Sequence, residues 1–294
     1  MSSQQINWLI FYTLVAMWGT SFLFTAVAVD DFSAIQISSM RIVLGALVLT
    51  IAVYSKGKRL PFDWKSWSAF ILLGLAGNSL PFFLISWGQQ SISSGTTGVL
   101  MTFMPIMTVL LAHYFVAGES LNKYKICGCL ISFAGVVLLL GPQFNGGATL
   151  LAQLAVFAAA TCYAVQTILI RLLPKFDPLV AGAGMLIGAS LLSSPLAIND
   201  GFDNIGQISD QSLYAIIWLG IVPTGLASIL FFLLVERAGP SFISNVNYFI
   251  PVVAFFSGII ILNEPLTSSN FIAVAVIIGG VALTRKKIKT IHSS

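Results

Sequence analysis

The sequence predicts an all-α polytopic membrane protein of ten transmembrane helices, arranged as two inverted five-helix repeats. Three observations predict it: composition, an internal duplication and the placement of positive charge. Of the 294 residues, 57% are hydrophobic and only 8% are charged, and the mean hydropathy is +0.95. About 20 apolar residues in a helix cross a hydrocarbon core of roughly 30 Å, where only helices or closed barrels satisfy the backbone. The apolar runs are continuous and lack the alternation of lipid-facing barrel strands, which selects helices.

The duplication lies between LMTFMPIMTVLLAHYFVAGESL at 100–121 and VNYFIPVVAFFSGIIILNEPL at 246–266. Phe103-x-Pro105 matches Phe249-x-Pro251, Glu119-x-Leu121 matches Glu264-x-Leu266, and Gly135-Val136 matches Gly280-Val281, at offsets of 145 or 146 residues. An offset near half the chain length means a duplicated half, with residues 1–145 as the first copy and 146–294 as the second. Internal repeats in a long apolar chain are a signature of transporters, whose substrate sites form where the halves face each other.

Taken in order, the apolar runs place helices at 7–27, 34–54, 66–86, 91–116 and 124–141 in the first half. The second half gives 148–170, 178–198, 211–235, 240–262 and 268–285. The link between the third and fourth spans is read at Trp87-Gly88-Gln89-Gln90. The first span follows an almost uncharged N-terminus and lacks a small-residue cleavage site, so it reads as a retained helix.

Orientation follows from Lys and Arg. Lys56, Lys58, Arg59 and Lys65 follow the second span, Lys123 and Lys125 the fourth, Arg171 and Lys175 the sixth, and Arg237 the eighth. Arg285, Lys286, Lys287 and Lys289 form the tail. The alternate loops carry Asp30, Asp31, Asp200, Asp203, Asp210 and Glu264 without Lys or Arg. The positive-inside rule then places both termini in the cytoplasm, at the cytoplasmic (inner) membrane. A five-helix unit that begins inside ends outside, so the second copy is inverted. The pI near 9.0 reflects these loops and implies no nucleic-acid surface.

Trp18-Gly19-Thr20-Ser21-Phe22, Arg41 before Ile42-Val43-Leu44, the Phe-x-Pro segments ending at Pro105 and Pro251, and the Glu-x-Leu pairs at Glu119 and Glu264 recur in order across the chain. With these residues the chain resembles the EamA group of the drug/metabolite transporter superfamily. The resemblance implies a ten-helix fold around a central cavity lined mainly by the first, third, fourth, sixth, eighth and ninth helices. It also implies transport of small metabolites or amino acids, often export.

Arg41 is the charge in the interior of a span, away from its ends. A guanidinium in a bilayer costs at least about 2.5–3.5 kcal/mol on insertion scales, so it faces protein or water. It reads either as a structural cap on neighbouring carbonyls or as a counter-charge for a carboxylate or phosphate, which its planar fork suits. No carboxylate lies inside the spans, which argues against a proton-coupled pump for lipophilic cations. Glu119 and Glu264 precede helices, where a carboxylate is stabilised by the helix dipole.

The candidate substrate-binding residues are polar and aromatic but uncharged: Trp18, Ser21, Asn78, Trp87, Met101, Tyr163, Gln166, Asn245, Asn247 and Tyr248. Amides bond both ends of a zwitterion, and aromatic rings offer apolar, cation-attracting faces. The same residue types also hold helices together, or anchor them at the interface. Trp18 and Tyr163 align at an offset of 145, which suggests that they face each other across the pseudo-axis. Pro105 and Pro251 read as hinges for alternating access, since proline inside a helix frees a carbonyl. Cys127-x-Cys129, Cys162, His113 and His292 form no metal-ligand pattern. No Walker loop or catalytic grouping appears, so the reading is a secondary transporter without cofactor or metal, not an enzyme. Its partners are a small molecule and the bilayer, and the fused repeat makes a working monomer. The alternatives are uptake of a small organic anion through Arg41 and a passive facilitator or pore.

Overall fold

The structure is a computed structural model that describes residues 2–117, 123–140, 147–201, 208–238, 242, 246–263 and 268–284. Among these, ten long helical rods follow one another. The first five are α1 Ser3–Ala28, α2 Ala34–Ser55, α3 Trp64–Gln89, α4 Ser94–Phe115 and α5 Lys123–Leu140. The second five are α6 Gly147–Leu172, α7 Pro178–Asn199, α8 Asp210–Ala238, α9 Val246–Leu262 and α10 Ser268–Thr284. Seven of them (α1 to α4 and α6 to α8) are long and apolar enough to cross a membrane, while α5, α9 and α10 are apolar helices packed into the same bundle. Glu119, Glu264, Asn245, Asp203, His292 and the basic residues of the tail lie outside the described residues.

Helix starts are set by short polar side chains that take up the free N–H groups of a first turn. Ser33 and Gln36 form a reciprocal capping box at the start of α2. Asp63 accepts from the Ser66 N–H to begin α3, Ser93 from Thr96 to begin α4, and Asp177 from Leu179 and Val180 to begin α7. The Ser93 cap corrects one expectation. Trp87, Gly88 and Gln89 continue α3, and the link to α4 falls at 90–93. The Gln89 amide holds this extra half-turn in the bundle by donating to the Phe22 carbonyl of α1 at 2.9 Å.

Inside a bilayer, lipid is as apolar as leucine, so close packing and interhelical hydrogen bonds hold helices together. Small residues accordingly mark the seams. A Cβ on Gly98 of α4 would overlap the methyl of Ala254 in α9, and one on Gly74 of α3 would overlap the Met185 carbonyl oxygen of α7. Between these seams sit clusters such as Ile42, Leu49, Phe70, Ala183 and Ala189, which joins α2, α3 and α7.

Packing follows the duplication. α2 packs on α7, α4 on α9 and α5 on α10. Several further contacts come in pairs: α1 on α9 with α6 on α4, α1 on α8 with α6 on α3, and α2 on α8 with α7 on α3.

Two sets of ties close the ends. At one end Asp31 accepts from the Ser209 N–H and hydroxyl, and Ser33 donates to Asp200. At the opposite end Lys58 pairs with Asp177 at 2.6 Å, and Arg237 Nε donates to Asn7 Oδ1 at 2.9 Å. The α1–α2 and α7–α8 loops thus meet at one end of the bundle, and the α2–α3 loop meets the start of α7 at the other.

Candidate functional site

The regular ladder of α3 and of α8 is interrupted in its middle by a wider π turn, Leu75–Ser79 in α3 and Gly220–Leu226 in α8. Leu75 and Gly220 are 145 positions apart, the offset of the sequence repeat, so the two halves carry the same irregularity at the same register. Such turns leave carbonyls short of their usual donors, and at membrane depth each must find one from protein or water.

In α8 the cause is Pro223, which has no N–H to offer the carbonyl four residues earlier. That carbonyl belongs to Leu219, and the Thr224 hydroxyl donates to it instead at 2.7 Å. The Pro223 carbonyl is taken by Trp18 of α1, whose Nε1 donates at 3.0 Å. In α3 the Ser79 carbonyl accepts from the Ser38 hydroxyl of α2 at 3.3 Å, and Ser79 Oγ donates to the Ala189 carbonyl of α7 at 3.1 Å. Each π turn is therefore braced by side chains from other helices.

Arg41 of α2 sits between the two turns and is 7% exposed. Its Nε donates to Thr224 Oγ1 at 2.7 Å, and its guanidinium carbon lies 3.9 Å from the centroid of the Phe82 ring, just past the α3 turn. Tyr163 of α6 packs against the cluster that contains Phe82 and Ile42, the residue next to Arg41. Thr224, Phe82 and Tyr163 come from α8, α3 and α6, so the guanidinium faces the bundle and not the lipid. Among the described residues Nη1 and Nη2 have no hydrogen-bond partner.

Gln166 of α6 lies directly on Gly77 in the α3 turn, where a Cβ would overlap its amide. Its Nε2 reaches the Leu73 carbonyl at 3.4 Å and the Met185 sulfur at 3.7 Å. Glycine at 77 leaves room for this approach. Gln89 has the reverse problem, because its Oε1 is buried and without a partner while its Nε2 is satisfied.

The structure gathers part of the expected set. Trp18, Asn78, Gln166, Arg41 and Tyr163 all come to the two π turns or to the arginine between them. Ser21 is buried beside them, but its hydroxyl is used within its own helix, donating to the Trp18 carbonyl at 2.7 Å. Met101 packs against the cluster of Phe22, Ile85, Ala159 and Ala254. Trp87 stands apart, 39% exposed near the end of α3. Trp18 and Tyr163 fall in different clusters, and among the described residues no ring contact joins them. Asn247 and Tyr248 lie in α9 with side chains outside the described set, and Asn245 lies outside it altogether. Pro105 stands where a short 3-10 turn, Met101–Phe103, passes into regular helix, whereas Pro251 lies inside an unbroken α9. Sequence reasoning did not single out Phe82, Thr224, Gly77 or Gln89. The available signal for them was the recurrence of glycine and proline around 74–81 and 220–225 in the two halves.

An apolar helical bundle whose irregular turns recur at the spacing of the repeat suits a membrane transporter, and comparison with known proteins agrees. The model of the EamA-like transporter family matches twice, over residues 6–141 and 150–286. The chain belongs to the EamA-like transporter family, and it is a multi-pass membrane protein. It is similar to an uncharacterized transporter of Archaeoglobus fulgidus, 26% identical over 283 residues, covering 96% of this chain and 99% of that one. It is also similar to the uncharacterized transporter YoaV of Bacillus subtilis, 23% identical with 92% and 93% covered. A probable terminal-alkyne amino-acid exporter of Streptantibioticus cattleyicolor is 24% identical over 283 residues, with 95% and 93% covered. A crystal structure of a protein at 23% identity matches with a TM-score of 0.68 over 96% of each chain, which shows the fold.

Proposed function

We propose that this chain is a secondary transporter that exports small polar metabolites, amino acids or related compounds, across the cytoplasmic membrane by alternating access. The observation that carries the reading is the pair of matched π turns, lined by hydrogen-bonding side chains that bear no charge except Arg41. Amide, hydroxyl and indole groups at that level suit a zwitterion, whose ammonium and carboxylate both need partners away from water. The similarity to an amino-acid exporter supports the same class.

In this reading all ten rods cross the bilayer, residues 1–145 and 146–294 form two halves of opposite orientation, and both termini are cytoplasmic. The working unit is a monomer. Trp18, Ser21, Asn78, Trp87, Met101, Tyr163, Gln166, Asn245, Asn247 and Tyr248 contribute to the substrate path, and bending near Pro105 and Pro251 opens it to one side at a time. Transport that persisted unchanged after both prolines were replaced by alanine would remove the hinges from the scheme.

The test is counterflow in proteoliposomes preloaded with individual amino acids, using wild type, Gln166→Ala and Asn247→Ala. Saturable exchange of a neutral amino acid, weakened in the variants, is the expected result. Exchange restricted to small carboxylates would favour organic-anion uptake, a reading for which the buried Arg41 speaks. Flux without saturation or counterflow would make the protein a passive facilitator.

A further inference from the structure

We propose that Arg41 is a substrate-binding residue whose terminal Nη1 and Nη2 groups grip the carboxylate of the transported compound end-on. The inference rests on the transporter reading above and names the chemical group that reading leaves open.

The geometry divides the guanidinium into a used and an unused part. Nε is spent on Thr224 Oγ1 at 2.7 Å, and the flat face is spent on the Phe82 ring at 3.9 Å. Thr224 is itself fixed, because its hydroxyl hydrogen goes to the Leu219 carbonyl in the π turn. The plane and direction of the cation are thereby set before anything binds. What is left is the end formed by Nη1 and Nη2, four N–H donors in one plane with no partner among the described residues. That end matches the two oxygens of a carboxylate in a bidentate pair.

A purely structural arginine would be expected to spend those donors on carbonyls of neighbouring helices. The carbonyls at both π turns are supplied by others: Ser79 by Ser38, Pro223 by Trp18 and Leu219 by Thr224. The fold thus provides for its irregular backbone without the guanidinium terminus. A buried cation with unused donors is costly, so the arrangement is accounted for when an anion completes it. Tyr163 of α6 packs against the cluster that holds Ile42 and Phe82, and its hydroxyl has no hydrogen-bond partner among the described residues.

The experiment measures binding in detergent by isothermal titration, with leucine, threonine and phenylalanine, their carboxamides, and isocaproate as a carboxylate without an ammonium. Wild type, Arg41→Lys and Arg41→Gln are compared after size-exclusion and melting checks. The expected result is that wild type binds at least one of the free amino acids and binds its carboxamide at least about tenfold more weakly. Arg41→Gln loses that discrimination, and Arg41→Lys, which keeps charge without the fork, retains only part of it. If neither variant folds, the wild-type comparison of acid with carboxamide still decides. Equal affinity for the two, or amino-acid binding unchanged in folded Arg41→Gln, would overturn the proposal while leaving the transporter reading intact. Isocaproate binding that depends on Arg41, with no amino acid bound, would keep the carboxylate site and end the amino-acid reading. Failure of wild type to bind any of these carboxylates would overturn the inference.

Discussion

Arg41 and Thr224 are 183 residues apart in the chain and 2.7 Å apart in the bundle, and the hydroxyl that receives the Arg41 Nε proton is the one that replaces the hydrogen bond proline denies to Leu219. One threonine therefore serves both a backbone irregularity in the second half and a buried cation from the first.

Replacing Thr224 by valine keeps the shape and removes both bonds. A hydrogen bond to a charged group contributes about 1.5–3 kcal/mol, and losing it at a buried site leaves the donor unsatisfied. Thr224→Val is expected to lower stability by about that amount, with Thr224→Ser near wild type. Thermal or denaturant unfolding in detergent, followed by intrinsic fluorescence, checks it.

Gly77 and Gln166 are tested as a pair. A methyl at 77 overlaps the Gln166 amide, the movable end of a flexible side chain, so the cost is expected near the low end of the roughly 1–3 kcal/mol of overpacking. Gly77→Ala alone is expected to destabilise the protein, and combining it with Gln166→Ala is expected to recover much of the loss. A coupling energy of about 0.5–3 kcal/mol between the two sites marks direct contact. Additivity within error would show that the side chains do not meet.

The tie between the α1–α2 and α7–α8 loops carries a pH dependence. The hydroxyl of Ser209, then that of Ser212 and the Ser209 N–H, hold the Asp31 carboxyl below its ordinary value of 3.8. A carboxyl lowered in the folded state contributes stability that is present above its unfolded value and is lost as pH falls through the folded one. The tie is therefore intact from neutral pH down to the ordinary carboxylate range and releases only at more acid pH. Hydrogen exchange at Ser209 should accelerate there in wild type, and Asp31→Asn should abolish the acid step.

Much of the fold was legible because membrane helices are long and continuous, and because duplication doubles every weak signal. Most of the described helices start and stop within a few residues of the apolar runs, and at 87–89 tryptophan, glycine and glutamine read as a link but continue α3. Glutamine looks like a loop residue until its amide is seen to meet the Phe22 carbonyl. The site was less legible. Nothing in the local composition of LAGNS or GIVPTGL announces a π turn, since a widened turn is a matter of which carbonyls receive donors, and those donors come from other helices. Arg41 was visible as an anomaly of charge, yet its partners Thr224 and Phe82 were ordinary residues until folding placed them.

The seams between helices also constrain how such a chain can change. Where a missing Cβ is faced by a flexible side chain, a neighbour can shift and the position can drift one step at a time. At Gly74 and Gly280 the opposing atoms include backbone carbonyls, of Met185 and Gly128 respectively, and a backbone cannot be trimmed. Any larger residue there has to arrive with a movement of two whole helices, α3 from α7 or α5 from α10. Such positions behave as a ratchet on divergence: the two duplicated halves are free to differ along most of their length, but only in concert where they touch main chain to main chain.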